Sequence, residues 1–483
     1  MFRSSVLGVL WVSLITVNAQ VSKPIKWACI GNSITAGYPN VNLAYAPRLA
    51  ALLGPQFSIQ NDGVSATTLL KKGDLPYWTK GLLNNVFSFN PDIISIKLGT
   101  NDTKSYNWVH GSEFVADLSA LVDTLSSISS HPQIWLCLPC PIYTNTYGIT
   151  DSILTKYIIP DIKQVAAAKG LNIIDVNTPL RGRSNLFSDG VHPTAAGSDS
   201  IAAIFYRTFL AKATRIACIG NSITQYVGTV SGSQGADAYS SQLNMLLGKS
   251  YVTQNFGISG TYMQKQSPMP YWTNGRLPQV FAFKPNVITI SLGTNDARAT
   301  NWNTTRFLAD YRAFIDTLNN TISPKPTLYM CLPMPSWKLN GAWQFDNGIS
   351  GNGISNDMIR DSVIPAIKKV AAEKGLPTID LNTPMQAWQS YVDDGVHPNA
   401  KGQDTLAQAI YRALMVPVSV LNPEDHARDS RLKRGSGETP FQVGSEKIYS
   451  VDGRMLPPSK PVLRGSPVEV RAGNAPTPEP EAR

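Results

Sequence analysis

Histidine and cysteine are scarce, at five residues each in a chain of 483. The cysteines are Cys29, Cys137, Cys140, Cys218 and Cys331, an odd count set in apolar, strand-like runs. That pattern argues against a disulfide framework and for buried free thiols. No His/Cys spacing resembles a zinc site, so neither a metal nor any other cofactor is expected. Charge is sparse too, at 16% of residues, and the net +9 is scattered. No basic stripe interleaves with aromatics, which excludes nucleic acid as a partner; a mildly basic solvated surface is the reading. Long apolar runs are missing. Val6–Val17 is the longest stretch of note, and a bilayer needs about 20 residues, so no transmembrane segment is expected. That run follows the basic start Met1-Phe2-Arg3 and leads into the small-residue site Val17-Asn18-Ala19. Residues 1–19 therefore read as a secretory signal cleaved after Ala19, which places the mature chain outside the cell. No cysteine stands directly after that point to carry a lipid; the next residue is Gln20.

What the chain does have is an internal repeat. ACIGNSIT stands at Ala28–Thr35 and again at Ala217–Thr224. PYWT recurs at Pro76–Thr79 and Pro270–Thr273, LGTND at Leu98–Asp102 and Leu292–Asp296. CLP recurs at Cys137–Pro139 and Cys331–Pro333, and DGVHP at Asp189–Pro193 and Asp394–Pro398. The offset grows from 189 at GNSIT to 194 at the middle three motifs and 205 at DGVHP. The second copy thus carries insertions, the larger placed in the Gly/Asn-rich stretch Asn340–Gly353, which reads as a loop. The copies are assigned to residues 20–212 and 213–416. No Gly/Ser or Pro linker separates them, so they should sit close together.

Within each copy, apolar runs alternate with helix-like segments. Ile25–Ile30, Asp92–Leu98, Gln133–Leu138 and Asn172–Val176 read as strands. Phe114–Leu125, Ile158–Lys169 and Val363–Lys374 read as helices, the last two closed by Gly170 and Gly375. Continuous apolar strands between helices predict an α/β fold, a buried parallel sheet covered on both faces. Ligands bind beyond the carboxyl ends of such strands, and the repeated motifs fall there.

Those motifs assemble into a chemistry. Ser33 follows the first strand on a Gly31-Asn32 turn. A hydrolytic serine needs a base, and only His192 and His397, both in DGVHP, occupy equivalent positions. Asp189 and Asp394, three residues earlier, can hold the imidazoles while the other ring nitrogen faces Ser33 or Ser222. The Ser33 N–H, the Gly63 N–H and the Asn101 side chain are candidates for an oxyanion hole; read alone, Gly63 is equally a turn glycine and Asn101 an Asx cap.

Ser in GNSIT, Gly in NDGVS, Asn in GTND and the Asp/His pair in DGVHP resemble the four blocks of the SGNH (GDSL) hydrolase superfamily, in order and across both copies. The resemblance implies two flavodoxin-like α/β/α domains and metal-free ester hydrolysis. In the second copy the matching positions are Ser222, Gly257, Asn295, Asp394 and His397. GNSIT with PYW and LGTND is similar to secreted bacterial carbohydrate esterases of the acetylxylan or sialate O-acetylesterase type. Both copies depart from the family in one respect: Asn32 and Asn221 stand where Asp usually precedes the serine.

The expected substrate is an acetylated polysaccharide. A lipid or thioester acyl chain, or a non-catalytic glycan-binding surface protein, are the alternatives. Trp108 and Trp302, seven residues past the oxyanion Asn, are candidate sugar platforms or core residues. Residues 417–483 are rich in Pro, Gly and Ser and read as a flexible tail. The tail's Lys447–Arg454 could form a hairpin, and it resembles the sorting or attachment segments through which some secreted bacterial proteins contact the cell surface or secretion machinery. A plain disordered tail fits as well.

Overall fold

The computed structural model describes residues 23–78, 81–226, 235–273, 275–346 and 352–415. The signal segment and the tail, with its suggested hairpin, lie outside the described residues.

The first copy builds five strands: β1 (Ile25–Gly31), β2 (Phe57–Gly63), β3 (Ile93–Lys97), β4 (Gln133–Leu138) and β5 (Asn172–Asp175). All pair in parallel, in the order β2-β1-β3-β4-β5. The second copy repeats them as β6 (Thr214–Gly220), β7 (Tyr251–Gly257), β8 (Val287–Ser291), β9 (Thr327–Leu332) and β10 (Thr378–Asp380). Its order, β10-β9-β8-β6-β7, is the same one read from the other edge. This is the flavodoxin-like order, which reverses direction at the first strand and leaves a crevice there.

Both faces of each sheet are apolar, as parallel sheets require. Along β1, Trp27 and Cys29 join one buried cluster while Ala28 and Ile30 join another. In the first copy the helices that cover these faces are α1 (Ser33–Ala36), α2 (Tyr45–Leu53), α3 (Leu82–Phe89), α4 (Phe114–Ser126), α5 (Ile159–Lys169) and α6 (Ala195–Lys212). Helices α2 and α6 pack on one face, α4 and α5 on the other. The second copy has α7 (Ser222–Gln225), α8 (Tyr239–Leu247), α9 (Arg276–Phe283), α10 (Thr304–Thr321), α11 (Ile364–Lys374) and α12 (Ala400–Met415) in the same roles. Gly170 and Gly375 end α5 and α11 in the left-handed conformation, both at φ 63°. One feature escaped the sequence: a π-helical turn, Leu154–Ile158 and Ile359–Val363, leads into α5 and α11.

The two copies adjoin without a linker. Ala213 caps α6, and β6 begins at Thr214. One continuous buried cluster holds Trp27, Phe205 and Phe209 together with Ala217, Ile288 and Phe314. Gln56 Nε2 donates to Thr253 O at 3.5 Å, and Lys249 Nζ to His131 O at 2.6 Å. All five cysteines are buried and free. Among the described residues no helix is long and apolar enough to cross a membrane.

Phe209 on α6 touches Trp27, Phe57 and Trp135, with centroids at 5.1, 5.8 and 6.1 Å. Phe209→Ala should therefore destabilise the chain by about 3–5 kcal/mol. A lowered urea midpoint by circular dichroism checks this, and an unchanged midpoint would place Phe209 outside the stabilising core.

Candidate active site

The sites form at the carboxyl rims of β1 and β6. Ser33 opens α1 directly after β1, and the side chain of Asn32 caps that helix, its Oδ1 accepting from Ile34 N at 3.1 Å. Asn221 does the same for Ile223 at 3.0 Å. An amide oxygen caps as a carboxylate would, so the replacement of Asp by Asn leaves the turn intact. Ser33 N–H and Ser222 N–H have no acceptor among the described residues, as the first helical N–H groups often do not.

In the first copy Ser33 Oγ lies 2.9 Å from His192 Nε2, and His192 Nδ1 lies 2.7 Å from Asp189 Oδ2. In the second, Ser222 Oγ is 2.8 Å from His397 Nε2, and His397 Nδ1 is 2.6 Å from Asp394 Oδ2. The DGVHP turn creates this contact. Gly190 and Gly395 both sit at φ 82°, a region that favours glycine. The reversal lets Asp189 Oδ1 accept from Val191 N and His192 N at 2.9 and 2.7 Å. Burial pushes the Asp189 carboxyl up, but the bonds from His192 and Val191 outweigh it and hold its pKa below the ordinary value; Asp394 is held down in the same way. Both stay ionised, fixing the imidazole tautomer that leaves Nε2 free to take a proton. Thr194 then caps α6, accepting from Gly197 N.

Asn101 closes the other side. Its Nδ2 donates to Thr67 O at 3.0 Å, and Asn295 Nδ2 donates to Thr261 O at 3.0 Å. One amide hydrogen remains for a ligand. Gly63 and Gly257 are placed at this rim, but their N–H groups donate to Asn61 Oδ1 and Asn255 Oδ1 at 3.0 and 2.9 Å. They could reach an oxyanion only by sharing that hydrogen. Their more evident role is space: a Cβ on Gly63 would fall 2.3 Å from Ala36 N, and one on Gly257 2.3 Å from Gln225 N. The serine's own helix packs on these glycines.

Trp108 and Trp302 do not meet the imidazoles. Trp108 packs on Phe114 and Tyr157, with centroids at 6.1 and 5.7 Å, and Trp302 on Phe307 at 4.9 Å. The aromatics beside the histidines are instead Tyr38 and Tyr147, at 4.6 and 5.7 Å from His192, and Phe345, at 5.0 Å from His397. All three are exposed. Phe345 comes from the larger insertion, and Tyr147 from the shorter segment it replaces. Their unequal positions hide them from a repeat alignment. Among the described residues no group of three His, Cys, Asp or Glu side chains could hold a metal ion.

The profile of the GDSL-like lipase/acylhydrolase family matches residues 29–199 and again 218–405. The chain belongs to that family. Over 210 residues it is 35% identical to an acetylxylan esterase of Xylanibacter ruminicola, a match that takes in 39% of this chain and 44% of that relative. The chain thus spans less than half the length of that relative. Among solved structures, the native aryl esterase of M. smegmatis is similar at 18% identity and a TM-score of 0.34, over 42% of this chain and 98% of that one. Est24, a carbohydrate acetylesterase from Sinorhizobium meliloti, is similar at 16% identity and a TM-score of 0.34, over 41% and 97%.

The Asp of GTND, to which the sequence attached no role, locks each site from behind. Asp102 accepts from Leu69 N and Leu70 N at 3.1 and 2.8 Å, and Asp296 from Met263 N and Gln264 N at 2.9 and 3.1 Å. This ties the loop after β2 or β7 to the turn that carries Asn101 or Asn295. Burial lifts both carboxyls to about 6, against those N–H bonds. An acid raised above its ordinary 3.8 holds its proton more tightly folded than unfolded. The stability it contributes is complete below about pH 4 and is lost as pH rises through about 6. Replacing both with Asn should flatten the fall in urea midpoint between about pH 4 and 6.5 relative to wild type. Parallel slopes would show that neither carboxyl titrates there.

Proposed function

We propose that the chain is a secreted serine esterase that removes O-acetyl groups from an acetylated polysaccharide, with one working site in each domain. The observation that carries this reading is the unbroken Ser–His–Asp relay, present twice. Family membership supports ester hydrolysis, and the relative named as an acetylxylan esterase supports the acetyl and glycan parts. The N-terminal sequence supports secretion. Exposed Tyr38, Tyr147 and Phe345 around the imidazoles offer aromatic faces suited to sugar rings.

In the proposed cycle Ser33 Oγ attacks the acetyl carbonyl carbon as His192 Nε2 takes its proton. The tetrahedral oxyanion is held by Ser33 N–H and the free amide hydrogen of Asn101, with Gly63 N–H as a shared third donor. Collapse breaks the bond to the sugar oxygen, which leaves with the proton from His192. Water, deprotonated by His192, then attacks the acetyl-serine; Ser33 Oγ leaves with that proton from His192, acetate is released and the resting pair is restored. Asp189 orients the imidazole and stabilises its charged form. Ser222, His397, Asp394, Asn295 and Gly257 repeat these roles.

Acetate release from acetylated xylan tests the reading. Ser33→Ala and Ser222→Ala should each lose part of the activity, and the double variant should lose about 1,000-fold or more. Full activity in the double variant would overturn both assignments. A strong preference for long-chain over acetyl nitrophenyl esters would overturn the polysaccharide substrate.

A further inference from the structure

The two copies differ beside the site, where a buried cation that is ion-paired in the first copy has no direct ion pair among the described residues in the second. In the first copy Lys104 follows the GTND turn, and its Nζ lies 3.2 Å from Asp74 Oδ2. The second copy has Arg298 at the position of Lys104, Pro268 at that of Asp74 and Tyr262 at that of Thr68. Arg298 is only 3% exposed. Among the described residues no carboxylate lies within salt-bridge distance of it; nearby Asp296 is occupied by the N–H groups of Met263 and Gln264. Neutral oxygens surround the guanidinium instead. Its Nε donates to Phe345 O at 3.0 Å, and its Nη1 faces Tyr262 Oη at 3.0 Å, Asn295 O at 2.8 Å and Asn295 Oδ1 at 3.2 Å.

A buried cation with no direct ion pair, only the charge of Asp296 acting at a distance, is unfavourable unless its environment rewards it. Two of these contacts lead to the reacting groups. Asn295 is the amide facing the oxyanion, and the Phe345 ring edges His397. In the first copy no donor reaches Asn101 Oδ1 among the described residues; Asn107 Nδ2 donates to the Asn101 backbone oxygen instead, at 3.0 Å.

We propose that Arg298 is a positioning residue of the second site, which orients and polarises the Asn295 amide so that its N–H meets the developing oxyanion as a stronger donor, an arrangement the first site lacks. A cation at Oδ1 draws electron density from the amide and strengthens the N–H at its other end. A charge held by neutral oxygens rather than by a direct ion pair matters most when negative charge forms nearby, in the transition state, so it acts on kcat rather than on substrate binding. The proposal rests on the esterase reading of the Ser222 site.

The test uses the full chain carrying Ser33→Ala, so that only Ser222 reacts, with 4-nitrophenyl acetate as substrate. Arg298→Met keeps length without charge, and Arg298→Lys keeps charge without the fork; circular dichroism sets a temperature at which both are folded. Arg298→Met should lower kcat about 10- to 100-fold with KM within about threefold. Its affinity for methylboronic acid, which forms a tetrahedral anionic adduct on serine, should fall by a similar factor. Arg298→Lys should recover most of both. Unchanged kcat in Arg298→Met, a change confined to KM, or Arg298→Lys as impaired as Arg298→Met would overturn the proposal while leaving the esterase intact. A Ser33→Ala parent inactive toward every acetyl ester would overturn the esterase reading of the second site, and the proposal with it.

Discussion

Asp189 accepts three hydrogen bonds from the turn that follows it, two from backbone N–H groups and one from the His192 ring. Asp394 does the same for His397. The backbone bonds fix where the carboxylate sits, and the carboxylate fixes how the imidazole is turned. The serine comes from a strand end far away in sequence, so this local rigidity decides whether the two meet. The parallel sheet supplies the rest. With β1 or β6 at the point where strand order reverses, the loop before α6 or α12 can arch over the same rim.

Much of this was legible because the chain states it twice. Strands built from Ile, Val and Cys runs, the C-terminal glycines of α5 and α11 and the Asp/His spacing each have a local physical cause that a single sequence exposes. The packed junction at Ala213 was legible too, from the lack of linker residues. Other features were hidden because their cause is tertiary. Gly63 is needed for the close approach of Ser33's helix, which no motif reveals. The partners of Asp102 are backbone groups of a distant loop. Trp108 and Trp302 stand at a suggestive distance from Asn101 and Asn295 in sequence, yet their rings turn into the shell of α4 and α10. The exposed rings that flank the histidines come from loops of unequal length.

The copies share the Ser–His–Asp hydrogen-bonded groups and differ in what surrounds them. Two tyrosines flank the imidazole in one site, a phenylalanine from an insertion in the other. A neutralised lysine in one becomes an arginine among neutral oxygens in the other. Under the proposed esterase reading, intact serines with altered surroundings would let the two copies act on differently presented esters.

The central claim is that both serines are activated by their histidines. Intact-mass measurement after exposure to a fluorophosphonate, which phosphonylates only activated serines, tests it directly. The account predicts two additions to the wild-type chain, one to either single Ser→Ala variant, and none to the Ser33→Ala, Ser222→Ala chain. An unlabelled wild type, or full labelling of the double variant, would contradict it.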